Sequence, residues 1–265
     1  MTTNDSSDIS TAVATSAPRD PRQTVEPTAR DVRVLARIAA GEWLAQYQIH
    51  VLEFDGKSET VVSRSTRRLW TRGLIRIERF RGQGINLTRL TEAGADYLLE
   101  RKGATAAAIF VSRRKFDPRQ LAHHLSVIDA FVALKRVQYG CRVLTCWQLR
   151  RSLANRNVPI PDLLVANLAT NGTVAIEIDR GTESLGGASG FVEKLRRLAE
   201  FEELWGGATT RAIVVLTLGK SRLESLRSRL SGGTSVTSVP VTVLALPQEV
   251  GRPAIAALEK LLGPP

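Results

Sequence analysis

Three carboxylates and a lysine in the second half of this 265-residue chain have the types and spacing needed for chemistry on a phosphodiester. Asp162 follows Pro161 at the start of one β-like run, and Glu177 and Asp179 stand two apart on the next. Alternate residues of a strand share a face, so Glu177 and Asp179 point the same way. Thr170-Asn171-Gly172 separates the two runs, and an Asn-Gly pair favours a tight hairpin that would bring Asp162 alongside the other two. Hard carboxylate oxygens on a rigid strand pair are what Mg²⁺ or Mn²⁺ requires to bind beside a phosphodiester and activate a water. On this reading Asp162, Glu177 and Asp179 are the metal ligands. Together with Lys194, approaching from a following helix that also carries Glu193 and Arg197, they form the catalytic set. The competing reading is an ordinary ion pair, in which Asp179 or Glu177 holds Arg180 or Lys194.

A second constellation is basic. If Glu59 to Arg72 is a helix, Val61, Val62, Ser65 and Leu69 share one face. Thr60, Ser63, Arg64, Arg67 and Thr71 occupy the opposite side, with Arg68 on its edge. A helix fits the major groove of B-DNA, and guanidinium forks match phosphates and guanine edges. Arg79 and Arg81 follow on a basic hairpin that can touch the adjacent backbone or minor groove. The expected DNA-binding set is therefore Thr60, Ser63, Arg64, Arg67, Arg68, Thr71, Arg79 and Arg81, against the alternative of a merely solvated basic face.

The elements that must position these residues follow from capping and periodicity. Residues 1–27 are rich in Ser, Thr, Asp and Pro without sustained periodicity and are expected to form a disordered tail. Thr28 and Asp31 resemble a capping box before Val32, Leu35, Ile38 and Ala39 at helical spacing. A second helix over about Ala45 to Leu52, the Arg-rich third, two strands around Arg81-Gly82-Gln83-Gly84 and a helix capped by Thr91 follow in order. That is the layout of a winged helix-turn-helix over 28–103, and LTRLTEAGADYL from Leu87 to Leu98 resembles its wing-to-last-helix segment. A basic connector, 104–118, precedes a second unit, 119–265. It opens with a helix of about twenty residues and continues as short strands alternating with helices. The Asn-Gly hairpin makes its sheet mixed, so the expected fold class is α/β (α+β): a winged helix followed by a restriction-endonuclease-like domain.

Charge agrees with this division. The chain carries 37 Lys and Arg against 26 Asp and Glu, a net +11, distributed as −2 over 1–27, +8 over 28–120 and +5 over 121–265. A surface that binds a polyanion concentrates its charge, as here. Cys141 and Cys146 alone make neither a disulfide framework nor a zinc site. The apolar runs at Ala212 to Leu218 and Ala104 to Val111 fall short of the roughly 20 residues that span a bilayer, so no membrane association is expected. Met1 to Ser10 lacks the basic start of a secretory signal, which predicts cytoplasmic residence on the nucleoid or a plasmid. Gly186-Gly187 and Gly206-Gly207 read as turns rather than phosphate loops, which argues against an ATPase. His123 and His124, adjacent on a helix, point about 100° apart and are assigned packing or capping roles. Trp70 and Trp147 are assigned to the core or its rim.

The order leading helix, Pro-Asp, hairpin, Glu-x-Asp and helix resembles the PD-(D/E)xK nuclease core. More narrowly, PDLLVANLATNGTVAIEIDRGTES and LAHHLSVIDAF, together with the preceding winged helix, resemble the replication-relaxation family of actinobacterial and other Gram-positive plasmids and integrative elements. The resemblance covers about 28–205, and EIDRGTES at 177–184 is its most specific string. It implies a DNA-binding protein of a plasmid or mobile element, acting in plasmid replication, DNA relaxation or transfer. Double-stranded DNA is the implied partner, and homodimerisation is left open. Two departures stand out. Asp179 occupies the position where the nuclease core has Lys, and the Glu often found on the first core helix has Gln148 as its nearest counterpart. The alternatives are an active Mg²⁺-dependent endonuclease or nicking enzyme and a purely transcriptional winged-helix regulator.

Overall fold

The computed structural model describes residues 26–80, 84–102, 111, 116–138, 140–152, 159–167, 172–187, 190–200, 209–231 and 237–263. The expected tail up to residue 25, Arg81, the basic run 113–115 and the turn residues Thr170 and Asn171 lie outside them.

The chain enters α1 (Ala29–Gly41) through the predicted capping box. The Asp31 backbone N–H donates to Thr28 Oγ1 at 3.2 Å, and the Thr28 N–H donates to the Asp31 carboxylate at 2.8 Å. A three-residue strand follows, β1 (Trp43–Ala45), which no alternation foretold because all three of its residues are buried. Then come α2 (Gln46–Glu53), α3 (Glu59–Thr71), the hairpin β2 (Ile75–Phe80) and β3 (Ile85–Leu90), and α4 (Glu92–Lys102). The strands form an antiparallel sheet in the order β1-β3-β2. Three helices, a β-hairpin and a closing helix thus occur in the predicted order.

After a 3₁₀ turn (Pro118–Gln120) the chain continues through α5 (Leu121–Val137), β4 (Cys141–Thr145), α6 (Cys146–Ser152), β5 (Leu163–Asn167) and β6 (Gly172–Asp179). It closes with α7 (Phe191–Glu200), β7 (Thr209–Thr217), α8 (Lys220–Ser231), β8 (Val241–Ala245) and α9 (Arg252–Leu262). The five strands lie in sequence order. β4, β5 and β6 are antiparallel neighbours, while β6, β7 and β8 run parallel. A short turn suffices for an antiparallel pair, but each parallel pair needs a crossover, here α7 and α8. The sheet is therefore mixed and the fold α/β, as expected from the hairpin.

Side-chain alternation sorts the sheet into two layers. Leu163, Val165, Ile176 and Ile178 face a core shared with α5 and α9, whereas Leu164, Ala175, Ile213 and Val215 face Phe191, Leu195 and Leu198 of α7 and Leu226 of α8. The first core runs without interruption into the helices around the three-stranded sheet, taking in Val34, Leu35, Ile38, Ile49 and Leu69. It is therefore continuous across the expected 104–118 connector. α5 makes this possible. From Leu121 to Leu134 it is buried on nearly every side, the pattern of a helix covered all round.

Polar bonds bind the two halves as well. Asp129 on α5, fully buried, accepts from Tyr47 Oη at 2.9 Å, Gln48 Nε2 at 2.7 Å and the Gly251 N–H at 2.9 Å. Burial pushes its carboxyl up to about 6, against the pull of those donors. His124 Nε2 donates to the Trp43 carbonyl at 2.8 Å, and burial pushes its imidazole down to about 4.

Candidate functional sites

Antiparallel register decides which carboxylates meet. β5 and β6 pair Leu163 with Ile176, and one step further along brings Asp162 level with Glu177. Asp162 Oδ2 is anchored there by the Ile178 N–H at 2.9 Å. Glu177 is fully buried, and its Oε2 accepts from Lys194 Nζ at 2.6 Å. Lys194 reaches it from α7, the helix over which the chain crosses to β7. Glu177 Oε1 is also buried and has no hydrogen-bond partner among the described residues. Burial and the neighbouring Asp162 charge push the Glu177 carboxyl above the usual range, while Lys194 pulls the other way. Burial alone would lower the Lys194 ammonium, but Glu177 and Asp162 more than reverse this and keep it protonated. Burial likewise acts to raise Asp162, but the His123 contact, the Lys194 charge and the Ile178 N–H hold it low, so it stays ionised.

His123 completes the cluster. Its Nε2 lies 3.3 Å from Asp162 Oδ1 and its side chain is 43% exposed, at the solvent side of the two carboxylates. The adjacent histidines thus have different fates: His124 packs between the rings of Phe116 and Trp147, and His123 joins Asp162. Sequence reasoning assigned both to packing or capping. The available signal was the 100° between neighbours on a helix, which gives the two side chains different surroundings.

Asp179 does not join this cluster, which corrects the expected three-carboxylate ligand set. Arg222 from α8 holds it through Nε at 2.8 Å and Nη2 at 3.1 Å, and Thr217 Oγ1 and the Gly181 N–H donate to it at 2.8 and 2.9 Å. Burial acts to raise its pKa, but the Arg222 bond and these donors lower it overall. Every lone-pair direction of that carboxylate is engaged by a donor. Among the described residues no group of three His, Cys, Asp or Glu side chains is placed to share a metal ion. The alternative ion-pair reading is met for Glu177 with Lys194. It is not met for Arg180, whose Nη1 donates to Ser126 Oγ at 2.9 Å. Gln148 caps the start of α6 by accepting from the Thr145 N–H at 3.1 Å.

On α3 the predicted two-faced pattern holds, with Val62, Ser65, Thr66 and Leu69 buried and Thr60, Ser63, Arg64, Arg67 and Thr71 exposed. Arg64 and Arg67 have no ion-pair partner among the described residues. Arg79 is exposed on β2, as is Arg76. Two features differ from expectation. Arg68 turns back onto α1, donating to Asp31 from Nη2 at 2.7 and 2.8 Å and from Nε at 3.1 Å, so its fork is occupied within the fold. Trp70, assigned from sequence to the core or its rim, is 55% exposed on the same face as Arg64 and Arg67.

A family model described as Replication-relaxation matches residues 35–215, a span that contains α3, the β2–β3 hairpin, Asp162, Glu177 and Lys194 but stops short of Arg222. No curated protein and no solved structure matches the chain. Among the described residues no helix is long and apolar enough to cross a membrane.

Proposed function

The chain belongs to the replication-relaxation family, a membership that points to plasmid replication and relaxation, and from that premise we propose that it acts on double-stranded DNA through the exposed face of α3. One observation carries this reading. Several arginines that pack against the fold are neutralised from within: Arg33 and Arg37 by Glu53, Arg68 by Asp31, Arg136 by Asp55 and Glu259, and Arg222 by Asp179. Arg64 and Arg67 are left unpaired, side by side with Thr60, Ser63 and Thr71 on a helix whose back is locked into the core. Phosphates supply the missing countercharge, and hydroxyls and guanidinium forks reach base edges when such a helix enters the major groove. Arg79 on the wing then lies over the flanking backbone. A duplex-binding titration tests this. Affinity falls steeply with salt, and replacing Arg64 and Arg67 by alanine weakens binding and lowers the slope of log affinity against log salt by about two. A flat salt response overturns the reading.

A second reading, cleavage of one strand of the bound DNA, is favoured by the buried, unpartnered Glu177 Oε1 next to Asp162. Glu177 and Asp162 would be the residues to hold a hard divalent cation, whereas Asp179 is taken by Arg222. Mg²⁺ or Mn²⁺ bound there would polarise a phosphodiester oxygen and lower the pKa of a water. The chain's own residues do the rest. The Ile178 N–H and His123 hold Asp162 in place, and Lys194 sets an ammonium beside the carboxylates where charge develops on the phosphate. One broken strand lets a supercoiled plasmid relax, which joins this chemistry to the family's name. Incubating supercoiled plasmid with and without Mg²⁺ or Mn²⁺ tests it: metal-dependent open circles that Asp162→Asn and Glu177→Gln abolish support the reading. Intact supercoils under both metals overturn it and leave DNA binding standing.

A further inference from the structure

A large apolar side chain with most of its surface in water is left available to a partner. Among the described residues only Trp70 and Leu261 are large hydrophobics in that position, and Trp70 is the more exposed, at 55%. The other described tryptophans are used internally: Trp43 lies in the core against Phe116 with Arg89 over its ring, and Trp147 packs against His124. Trp70 has no ring stacked on it and no cation over it among the described residues.

Its place on α3 points to what covers it. At 100° per residue, Trp70, Ser63, Arg67, Thr60, Thr71 and Arg64 fall within an arc of about 120°. Trp70 therefore stands at the edge of the exposed face, between the buried Thr66 and the exposed Ser63, with the unpaired Arg67 beyond Ser63. Along the axis it stands about 9 Å beyond Arg64, at 1.5 Å per residue. Once the first turns of α3 reach into a groove about 12 Å wide, a side chain that far toward the helix C-terminus meets the groove rim, where deoxyriboses and phosphates pass. The rim matches an indole, with an apolar sugar edge for the ring and a phosphate oxygen for the Nε1–H.

We infer that Trp70 is an apolar anchor of the DNA-binding face, packing on the deoxyribose–phosphate rim of the major groove and adding affinity that is independent of salt and of base sequence. The inference rests on the DNA-binding reading above. It commits to duplex DNA as the occupant because the same face carries two unneutralised arginines, whose countercharge a polyanion provides.

Cationic and apolar contacts leave different marks on a salt titration. A guanidinium on a phosphate releases counterions and sets the slope, whereas an indole on a sugar releases none and shifts the line in parallel. The test is a fluorescence-anisotropy titration of the full chain with a labelled mixed-sequence duplex across a range of salt, with sedimentation of the free proteins. Trp70→Ala should weaken binding about tenfold at every salt concentration with an unchanged slope, as expected for roughly 55 Å² of indole surface returned to water. Trp70→Phe should recover most of the loss, and Arg67→Ala should lower the slope by about one. Because Trp70 lies outside the core, both variants are expected to melt with the wild type. Binding of Trp70→Ala within twofold of wild type, or a slope that changes with it, overturns the anchor. Loss of a wild-type dimer in Trp70→Ala with DNA affinity intact also overturns it and gives this face to a second copy. A wild-type chain that binds no duplex at any salt overturns the DNA-binding reading itself and the anchor with it.

Discussion

Replacing Arg68 by alanine is expected to cost folding stability, with DNA contact untouched. The Asp31 carboxylate that Arg68 grips has a side chain only 1% exposed, so without its counterion it becomes a buried charge held by neutral donors. Breaking a fully buried pair costs about 3–5 kcal/mol. Here two features reduce that figure: Ser65 Oγ at 2.5 Å and the Thr28 N–H at 2.8 Å still donate to Asp31, and the Arg68 side chain is itself 35% exposed. About 2 kcal/mol remains. For a chain of this size that corresponds to a fall of roughly 4–8 °C in melting temperature. The pH dependence has a definite sign. Burial acts to raise the Asp31 pKa, but the bonds from Ser65, Thr28 and Arg68 outweigh it and leave it depressed. A depressed carboxyl stabilises the fold above its unfolded pKa and loses that contribution as pH falls through the folded value, so the gap between wild type and Arg68→Ala is widest near neutrality and closes in acid. Thermal melts at neutral and acidic pH, run beside the same measurements on Arg67→Ala, provide the assay. Arg67 is exposed and unpaired, so its removal should change stability by less than about 0.5 kcal/mol while lowering the salt slope of DNA binding. The reasoning fails if Arg68→Ala melts with the wild type and lowers that slope by one, because Arg68 would then be spending its charge on phosphate.

Three further outcomes follow from the same contacts. Burial raises the Asp129 carboxyl from its ordinary 3.8 to about 6, so its contribution is fully present below about 4 and is lost as pH rises through 6. Asp129→Asn should lose that part of the pH dependence, and melting curves for the two proteins that stay parallel from pH 4 to 7 would contradict this. Lys194→Ala strips Glu177 of the one partner shown for its carboxylate and should destabilise the chain by about 3 kcal/mol, whereas Glu177→Gln, which removes the buried charge, should cost much less. Denaturant midpoints in the opposite order would refute the pairing. Gly94→Ala places a Cβ 2.1 Å from the Leu74 carbonyl, so it should lower stability by about 1–3 kcal/mol although alanine is the better helix former. A raised melting temperature would show that α4 does not sit this close to the start of β2.

The core that joins the two halves bears on how these sites work together. Tyr47 and Gln48 on α2, Asp129 on α5 and the Gly251 N–H ahead of α9 form one buried hydrogen-bonded unit. Arg252 of α9 donates to Glu59 in the first turn of α3 at 3.0 Å. The helix proposed to read DNA thus touches, through this exposed ion pair, a helix that backs the sheet carrying Asp162 and Glu177.

Much of this was legible in the sequence because it depends on neighbours along the chain. Helical spacing separated the two faces of α3, Thr28 and Asp31 marked the start of α1, and the Asn-Gly pair predicted an antiparallel step in a mixed sheet. Pro161-Asp162 and Glu177-x-Asp179 could be placed on adjacent strands for the same reason, since strand periodicity is a local property. β1 escaped notice because three buried residues carry no alternation, and the assignment of Trp70 to the core or its rim could not give its 55% exposure, because hydrophobicity alone does not say on which side of a helix a partner will be. Choices among partners were decided only in three dimensions. Arg68 is 37 residues from Asp31, Arg222 is 43 from Asp179, Lys194 is 17 from Glu177 and His123 is 39 from Asp162. No periodicity spans those separations. The layering of α5, α7 and α8 on the sheet selects which charge meets which.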